Sequence, residues 1–344
     1  MHTDRVLVIA SEAHRAHAAL ELDDGAMGPS VERPERADLI AAALRAAGHE
    51  FAAPDVVDLE LLRRVHDVDY VDFLATAWDR WVAEGKTATA AMGFMWPTRG
   101  FRSARPDDIV GLLGYHSFTA DTSIVAGTHG AAMGAVAVAT TAADRVLDTG
   151  ATTYGLCRPP GHHAMVDQFG GYCFFNNAAV AAQRLRDGGS GRVGIIDVDY
   201  HHGNGTESIF LDREDVVFAS IHADPREEFP WFAGFANERG SGDGEGSNLN
   251  LPLPKGATSD AWFAALDTAL GFLEGIRLDA LVVSLGVDAY EHDPLGTFAL
   301  STPDFTRAGE RIRSLGLATV IVQEGGYAVE ALGANVAAFL ASWA

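Results

Sequence analysis

Short apolar runs that alternate with helical periodicity constrain the fold of this chain more than any other feature. The runs have the length and composition of buried strands, and the segments between them have the apolar spacing of amphipathic or alanine-rich helices. The predicted strands are residues 5–10, 153–157, 193–198, 216–221, 280–285 and 318–322, and the predicted helices are 36–47, 66–81, 130–146, 178–186, 259–275, 303–315 and 329–343. Near-continuous apolar strands separated by helices predict an α/β protein whose central parallel sheet is flanked by helices on both faces.

Domain organisation follows from what interrupts this pattern. The sequence contains no internal repeat and no low-complexity linker, so we expect residues 1–344 to form a single domain. Two stretches, 85–121 and 224–254, have no clear periodicity, and loops of that length in a compact domain are usually functional or disordered. Their aromatic residues favour ordered surfaces for binding or oligomerisation: Trp96, Phe101, Phe229, Trp231, Phe232 and Phe235.

The charge balance narrows the classes of partner. The chain has 47 acidic and 25 basic residues, a net charge of −22. A field of that sign repels nucleic acid and anionic membranes and attracts cationic ligands, although a general adaptation to solubility or salt explains the same balance equally well. Cys157 and Cys173 lie in apolar segments, which argues against a disulfide framework. No signal peptide and no bilayer-spanning run is apparent, so we expect a cytoplasmic protein.

The first candidate site follows the predicted strand 193–198. Asp197, Asp199 and His201 alternate along an extended chain, so their side chains point to one face at the carboxyl end of a strand. Open α/β sheets bind their ligands at that end. Carboxylate and imidazole groups at this spacing are ligands that Zn²⁺ accepts. Upstream, His162 and His163 follow Arg158-Pro-Pro-Gly, and two adjacent imidazoles on a rigid turn are costly to bury without partners.

Two further strands end in polar residues. The strand 280–285 leads to Asp288, and the strand 318–322 leads to Gln323-Glu-Gly-Gly-Tyr327. Taken alone, such an aspartate more often caps the next helix, and such a tyrosine is more often a packing residue. Their position at strand ends nevertheless makes them candidates for the same site as the histidines.

These motifs together resemble a known family. Arg158-Pro-Pro-Gly-His-His, Asp197-Val-Asp-Tyr-His-His-Gly-Asn-Gly-Thr, Gly286-Val-Asp and Glu324-Gly-Gly-Tyr are similar to the signatures of the zinc-dependent histone-deacetylase-like amidohydrolases. The resemblance runs in order along most of the chain and implies a single-domain arginase–deacetylase fold with about eight parallel strands. Within the family, the chain most resembles the bacterial acetylpolyamine amidohydrolases, on residues 76–81, 169–177, Asp224-Pro, Glu228-Phe-Pro and the long insertion before Asp121.

The resemblance implies a mononuclear metal site. Asp199, His201 and Asp288 would hold one Zn²⁺ with an open position for water, and Fe²⁺ or Co²⁺ could occupy the same ligands. A dinuclear manganese site, as in the arginase branch, is disfavoured because the chain lacks an aspartate two residues after Asp288. Two structural potassium sites are also implied. The inner site would use Asp197 and main-chain carbonyls near Asp199, His201, Ser220 and Ile221, and the outer site carbonyls around Phe210, Arg213 and Val216.

The resemblance also implies how protons are moved. His163 would act first as general base and then as general acid, while His162, paired with Asp197, would tune the local electrostatics. Tyr327 would donate a hydrogen bond to the oxyanion. Asn204 stands near His163 where some family members carry aspartate, and an amide cannot raise imidazole basicity as a carboxylate does. A scheme with His163 as the single base is therefore favoured.

Substrate residues are implied in the same way. Gly171, Tyr172 and Phe229 match positions that wall the acyl-amine tunnel of the family, and Glu21 and Asp121 resemble acidic positions at its mouth in the polyamine branch. Val110 stands where a further acidic residue would align.

The leading hypothesis is a deacetylase of small cationic amines: acetylputrescine, acetylcadaverine or acetylspermidine. The insertion 85–121 would help to form a homodimer and narrow the mouth of the site. One alternative is a deacylase of acyl-lysine proteins, which needs a wide mouth. Another is a metal-binding sensor that uses the tunnel without turnover.

Overall fold

The computed structural model of this chain describes residues 5–86 and 89–343 and contains an eight-stranded sheet whose paired neighbours are all parallel. The strand order is β4-β1-β5-β10-β9-β6-β7-β8, and β2 and β3 form a separate antiparallel hairpin. The strands are β1 (Leu7–Ala10), β2 (Leu20–Asp23), β3 (Ala26–Pro29), β4 (Glu50–Ala52), β5 (Thr153–Leu156), β6 (Val193–Asp197), β7 (Val216–Ala223), β8 (Asn248–Leu253), β9 (Ala280–Leu285) and β10 (Ala318–Gln323). The predicted α/β class and parallel sheet are confirmed.

Helices cover both faces of this sheet. They are α1 (Glu35–Ala46), α2 (Leu59–Arg63), α3 (Val68–Ala83), α4 (Ile109–Tyr115), α5 (Thr128–Thr149), α6 (Asn177–Asp187), α7 (Asn204–Phe210), α8 (Ser259–Glu274), α9 (Thr302–Arg313) and α10 (Leu332–Leu340). Successive strand residues point to opposite faces, so Ile195 packs in a core with α3, α5 and α6, and Ile196 in a second core with α1, α8, α9 and α10. Burial on both faces explains why the strand sequences are continuously apolar.

The structure corrects the two stretches predicted to lack regular structure. The stretch 224–254 includes β8, which sequence reasoning missed because asparagine and proline are rare in strands. Pro252 is tolerated there because β8 is an edge strand. The insertion 85–121, of which residues 87–88 lie outside the described chain, includes α4. Asp108 caps this helix by accepting a hydrogen bond from Val110 N at 2.8 Å.

Strand order brings the functional motifs together. Strands β5, β10, β9 and β6 are consecutive neighbours in the sheet. Each is followed by one of the polar motifs, so the segments 157–163, 324–327, 286–288 and 198–204 meet at one carboxyl edge. No helix in the described part of the chain has the length and apolar character needed to cross a membrane.

Candidate active site

Three potential metal ligands meet at the carboxyl ends of β6 and β9. Asp199 and His201 follow β6, and Asp288 follows β9. One ligand atom from each lies within 4.8 Å of the others. His201 Nδ1 is 3.1 Å from Asp288 Oδ2 and 3.3 Å from Asp199 Oδ1. The structure therefore brings the three predicted ligands to one point.

The surroundings of this cluster fit a divalent cation. Both carboxylates are buried, and within residues 5–86 and 89–343 neither forms an ion pair with a lysine or arginine. A side chain at Gly286 would clash with Asp199, and one at Gly325 would crowd both carboxylates. Burial and the charge of Asp199 raise the pKa of Asp288 to about 7. Two buried, mutually repelling carboxylates with an imidazole are a donor set that Zn²⁺ accepts.

The two adjacent histidines differ in protonation, and His162 is the charged one. Its Nδ1 lies 3.0 Å from Asp197 Oδ2, and its backbone N donates to Glu324 Oε2 at 3.1 Å. Burial lowers the pKa of His162, but the carboxylates of Asp199 and Asp197 outweigh this effect and raise it to about 10. A buried imidazolium held between carboxylates is a poor proton acceptor.

His163 is neutral, and its second ring nitrogen has no hydrogen-bond partner among the described residues. Its Nδ1 lies 2.7 Å from Asn204 Oδ1, and Asn204 Nδ2 donates to the His163 carbonyl at 3.4 Å. Because an amide oxygen only accepts, Nδ1 carries the proton and Nε2 keeps its lone pair. Burial and the imidazoles of His162 and His201 lower the pKa of His163 well below its usual value. His163 lines the cavity described below, so it can accept a proton there.

Tyr327 lies on the turn after β10, and contacts to its backbone and ring hold it in place. Its backbone N donates to Asp293 Oδ2 at 2.7 Å. The Arg36 guanidinium lies 4.7 Å from its ring centroid and donates to the carbonyls of Gly326 at 2.6 Å and Glu324 at 2.8 Å. Burial raises the pKa of Tyr327 well above its usual value, so the phenol stays protonated and can donate a hydrogen bond.

A cavity of about 570 Å³ opens onto these groups. Phe229 packs edge-on against His163, with ring centroids 5.0 Å apart, and Tyr172 packs edge-on against Tyr327 at 5.9 Å. The residues predicted to contact substrate all line this cavity: Glu21, Asp121, Gly171, Tyr172 and Phe229.

The two acidic residues predicted at the mouth of the cavity form hydrogen bonds with other residues of the protein. Glu21 Oε2 accepts a hydrogen bond from Ser30 Oγ at 3.0 Å. Asp121 Oδ1 accepts one from Gly171 N at 3.1 Å and two more from neighbouring threonine hydroxyls. Direct binding of substrate by either carboxylate stays a prediction.

Several residues that line the cavity were not predicted from the sequence. Phe118 stacks on Phe229 with ring centroids 6.2 Å apart, and Glu228 and Leu295 also line the wall. Phe118 lies in an irregular segment after α4, where no periodic pattern marks it. Its closeness in sequence to Asp121 is the one signal that could have found it.

The residues of the two predicted potassium sites are also grouped in space. Asp197 pairs in register with Ser220 on β7, and Ile221 follows. For the outer set, Arg213 N donates to the Phe210 carbonyl at 3.0 Å, and Val216 begins β7. This grouping is compatible with the predicted sites, and potassium binding stays a prediction.

Comparison with known proteins gives a consistent set of relatives. The chain matches the family described as "Histone deacetylase domain" over residues 30–343. It is 48% identical over 332 residues to acetylpolyamine amidohydrolase 2 of Pseudomonas aeruginosa, covering 96% of each chain. It is 46% identical to acetylpolyamine amidohydrolase of Mycoplana ramosa, covering 96% of this chain and 97% of that one. The crystal structure of acetylpolyamine aminohydrolase from Burkholderia pseudomallei superposes with a TM-score of 0.93 at 38% identity, covering 98% of each chain.

The fold, the ligand cluster and the relatives agree on the class of protein. It is an amidohydrolase, an enzyme that hydrolyses amide bonds. The chain belongs to the histone deacetylase domain family. The family predicted from the four motifs is confirmed, and so is the fold that the resemblance implied.

Proposed function

We propose that this enzyme hydrolyses N-acetylated polyamines, such as acetylputrescine, acetylcadaverine and acetylspermidine, to acetate and the free amine. The observation that carries the proposal is the cavity, because aromatic walls at Tyr172 and Phe229 suit a slim methylene chain. Relatives that are 46% and 48% identical over nearly the whole chain are named acetylpolyamine amidohydrolases, which supports the same substrate class.

The charge of the cavity supports a cationic substrate. Among the described residues, its lining contains the carboxylates of Glu21, Asp23, Asp121 and Glu228 and no lysine or arginine. A cleft lined by one sign of charge concentrates ligands of the opposite sign. A protonated polyamine chain is such a ligand.

Asp199, His201 and Asp288 would hold one Zn²⁺, and Fe²⁺ or Co²⁺ fits the same donor set. When bound, the metal supplies Lewis-acid chemistry that polarises the amide carbonyl and makes water more acidic. Elemental analysis of the purified protein should find about one such ion per chain, as in mononuclear sites with this donor set. The Asp288→Asn variant should lose most of the bound metal. A full complement of metal in that variant would exclude Asp288 as a ligand.

His163 and Tyr327 would perform the remaining chemistry. His163 Nε2 accepts a proton from water as the water oxygen bonds to the acetyl carbon, and returns a proton to the amine nitrogen as the C–N bond breaks. Tyr327 donates its phenol hydrogen bond to the carbonyl oxygen as that oxygen becomes negative. His162 stays protonated beside Asp197 and contributes positive charge.

The two structural potassium sites, around Asp197 and Ser220 and around Phe210 and Val216, belong to the same proposal. Main-chain carbonyls bind a monovalent cation of matching size in preference to a smaller one. Replacing potassium by sodium in the buffer should therefore lower the melting temperature. An unchanged melting temperature would exclude a structural role for the ion.

The insertion 85–121 would form part of a homodimer interface. It exposes large apolar side chains: Phe94 is 71% exposed, Met95 64% and Phe101 55%. Exposed apolar groups that cluster in one segment are typical of protein–protein contacts. Light scattering should give twice the mass of one chain, and Phe94→Ser combined with Met95→Ser should reduce it to that of a monomer.

The direct test of the proposed function is product analysis. After incubation of the zinc-loaded enzyme with N-acetylputrescine, mass spectrometry should find acetate and putrescine in equal amounts. Unchanged substrate would overturn the proposal and favour a protein that binds metal without turnover.

A further inference from the structure

We propose that Glu21 is a positioning residue, whose carboxylate orients the Tyr172 wall of the cavity rather than binding the ammonium group of the substrate. The inference rests on the proposed function, because it concerns the cavity that would hold the acetylated amine. It assigns to Glu21 a role that its acidic character alone does not suggest.

The surroundings of Glu21 leave little of its carboxylate for a ligand. The residue is 6% exposed, although it lies on β2 at the edge of the cavity. Its Oε2 accepts a hydrogen bond from Ser30 Oγ at 3.0 Å, and its Oε1 accepts one from Val31 N at 3.4 Å. The Tyr172 phenol also interacts with this carboxylate. Ser30 and Val31 each donate to one of its oxygens and the phenol lies beside them, so an ammonium group would have to compete with protein groups for the remaining lone pairs.

The backbone of Tyr172 needs support from outside its own turn. Tyr172 has φ +66° and Gly171 has φ +55°, both in the left-handed region that an aromatic residue rarely adopts. Gly171 N donates to Asp121 Oδ1 at 3.1 Å, and Tyr172 N donates to Thr122 Oγ1 at 2.7 Å. These two bonds fix the turn but not the direction of the ring, which the phenol contact with Glu21 can fix.

Glu21 and the segment that holds the turn form one unit. Leu22 N donates to the Ala120 carbonyl at 3.1 Å. Ser123 Oγ donates to the Leu20 carbonyl at 2.6 Å. Strand β2 is therefore tied to the segment that carries Asp121, so the phenol and the backbone of the turn are held by one framework.

The orientation of Tyr172 matters because the turn lies between the two groups proposed to react. The Tyr172 ring packs against Tyr327, and a side chain at Gly171 would overlap the His163 ring. A phenol free to rotate would remove one wall of the cavity and loosen the neighbour of Tyr327. Any substrate that uses this wall would be affected, whether charged or not.

The test compares N-acetylputrescine with N-pentylacetamide, a neutral amide of the same length. Glu21→Ala should lower kcat/KM by about 10- to 100-fold on both substrates, as small displacements of a site do. Glu21→Gln should restore most of the loss, because an amide oxygen still accepts from the phenol. Tyr172→Phe should lower kcat/KM as much as Glu21→Ala does. The variant that combines Glu21→Ala with Tyr172→Phe should be no slower than either single variant. Glu274→Ala, an exposed carboxylate at the end of α8, is the matched control.

Three outcomes would overturn the proposal. A loss confined to N-acetylputrescine and equal in Glu21→Ala and Glu21→Gln would make Glu21 a direct ligand of the ammonium group. No loss on either substrate would exclude both roles. Thermal unfolding tests the contact between Glu21 and Tyr172 independently of the proposed function. Whether or not either amide is cleaved, the melting-temperature shifts of Glu21→Ala and Tyr172→Phe should not add in the double variant, and additive shifts would overturn the contact.

Discussion

At the scale of single residues, His162 and His163 are adjacent in sequence, but their imidazoles differ in pKa because their partners differ. Asp197 stabilises a charge on His162, whereas the Asn204 amide can only orient His163. The sequence was sufficient to predict these pairings through the family resemblance. It could not have shown that Glu21 and Asp121 are turned towards protein donors, because that depends on segments distant in sequence.

Tyr327→Phe tests the oxyanion role. Loss of the phenol donor should lower kcat by about 10²- to 10³-fold, the usual cost of removing one such donor. Metal content should not change, because Tyr327 is outside the ligand cluster. Tyr115→Phe, on α4, is the matched control. Near-normal turnover by Tyr327→Phe would exclude the assignment.

Arg36→Met tests the buried charges behind the active site. Arg36 Nη1 lies 2.8 Å from Glu32 Oε1, and both side chains are almost fully buried. Glu32 keeps Arg158, whose Nε lies 2.8 Å from the same oxygen, but the buried carbonyls of Gly326 and Glu324 lose their donor. The free energy of unfolding in urea should therefore fall by about 1–3 kcal/mol. Arg15→Met, which breaks exposed ion pairs, should cost less than about 1 kcal/mol. Equal losses in both variants would contradict this account.

At the scale of elements, strands and helices were predictable where burial imposes a pattern. The strand 280–285 was predicted to the residue, because β9 is buried along its whole length. Strand β8 and helix α4 escaped prediction, because an edge strand with Asn248, Asn250 and Pro252 and a single short helix lack a strong periodic signal.

The loop between β7 and β8 carries Phe229 and is anchored by Glu238. Glu238 Oε2 accepts hydrogen bonds from Gly234 N at 2.7 Å and Phe235 N at 2.8 Å. Glu238→Ala should loosen the Phe229 wall and raise KM for N-acetylputrescine by about tenfold, corresponding to about 1.4 kcal/mol, with a smaller effect on kcat. Glu245→Ala, an exposed carboxylate of the same loop, is the control. Unchanged KM in Glu238→Ala would mean that this anchor does not hold the wall.

At the scale of the whole molecule, the sequence was sufficient to predict the parallel sheet and the meeting of motifs at its carboxyl edge. The strand order was not predictable from these patterns, because it depends on pairings between strands far apart in sequence, such as β5 with β10. The site was still predictable because every motif follows its own strand.

The net charge of −22 gives a test at this scale. If the acidic field steers the substrate, kcat/KM for N-acetylputrescine should fall as salt rises, because the screening length shortens from about 30 Å at 0.01 M to about 8 Å at 0.15 M. N-pentylacetamide should show little change. Equal salt dependence for both amides would assign the charge to solubility or salt adaptation.

The most direct test of the central claim is a comparison of substrates. Initial rates of acetate release should be measured for the zinc-loaded enzyme on N-acetylputrescine, N-acetylcadaverine, N8-acetylspermidine and an acetyl-lysine peptide. We predict a kcat/KM at least about 100-fold higher for the small amines than for the peptide, or about 2.7 kcal/mol of differential transition-state binding. A preference for the peptide would contradict the polyamine assignment and identify a lysine deacylase.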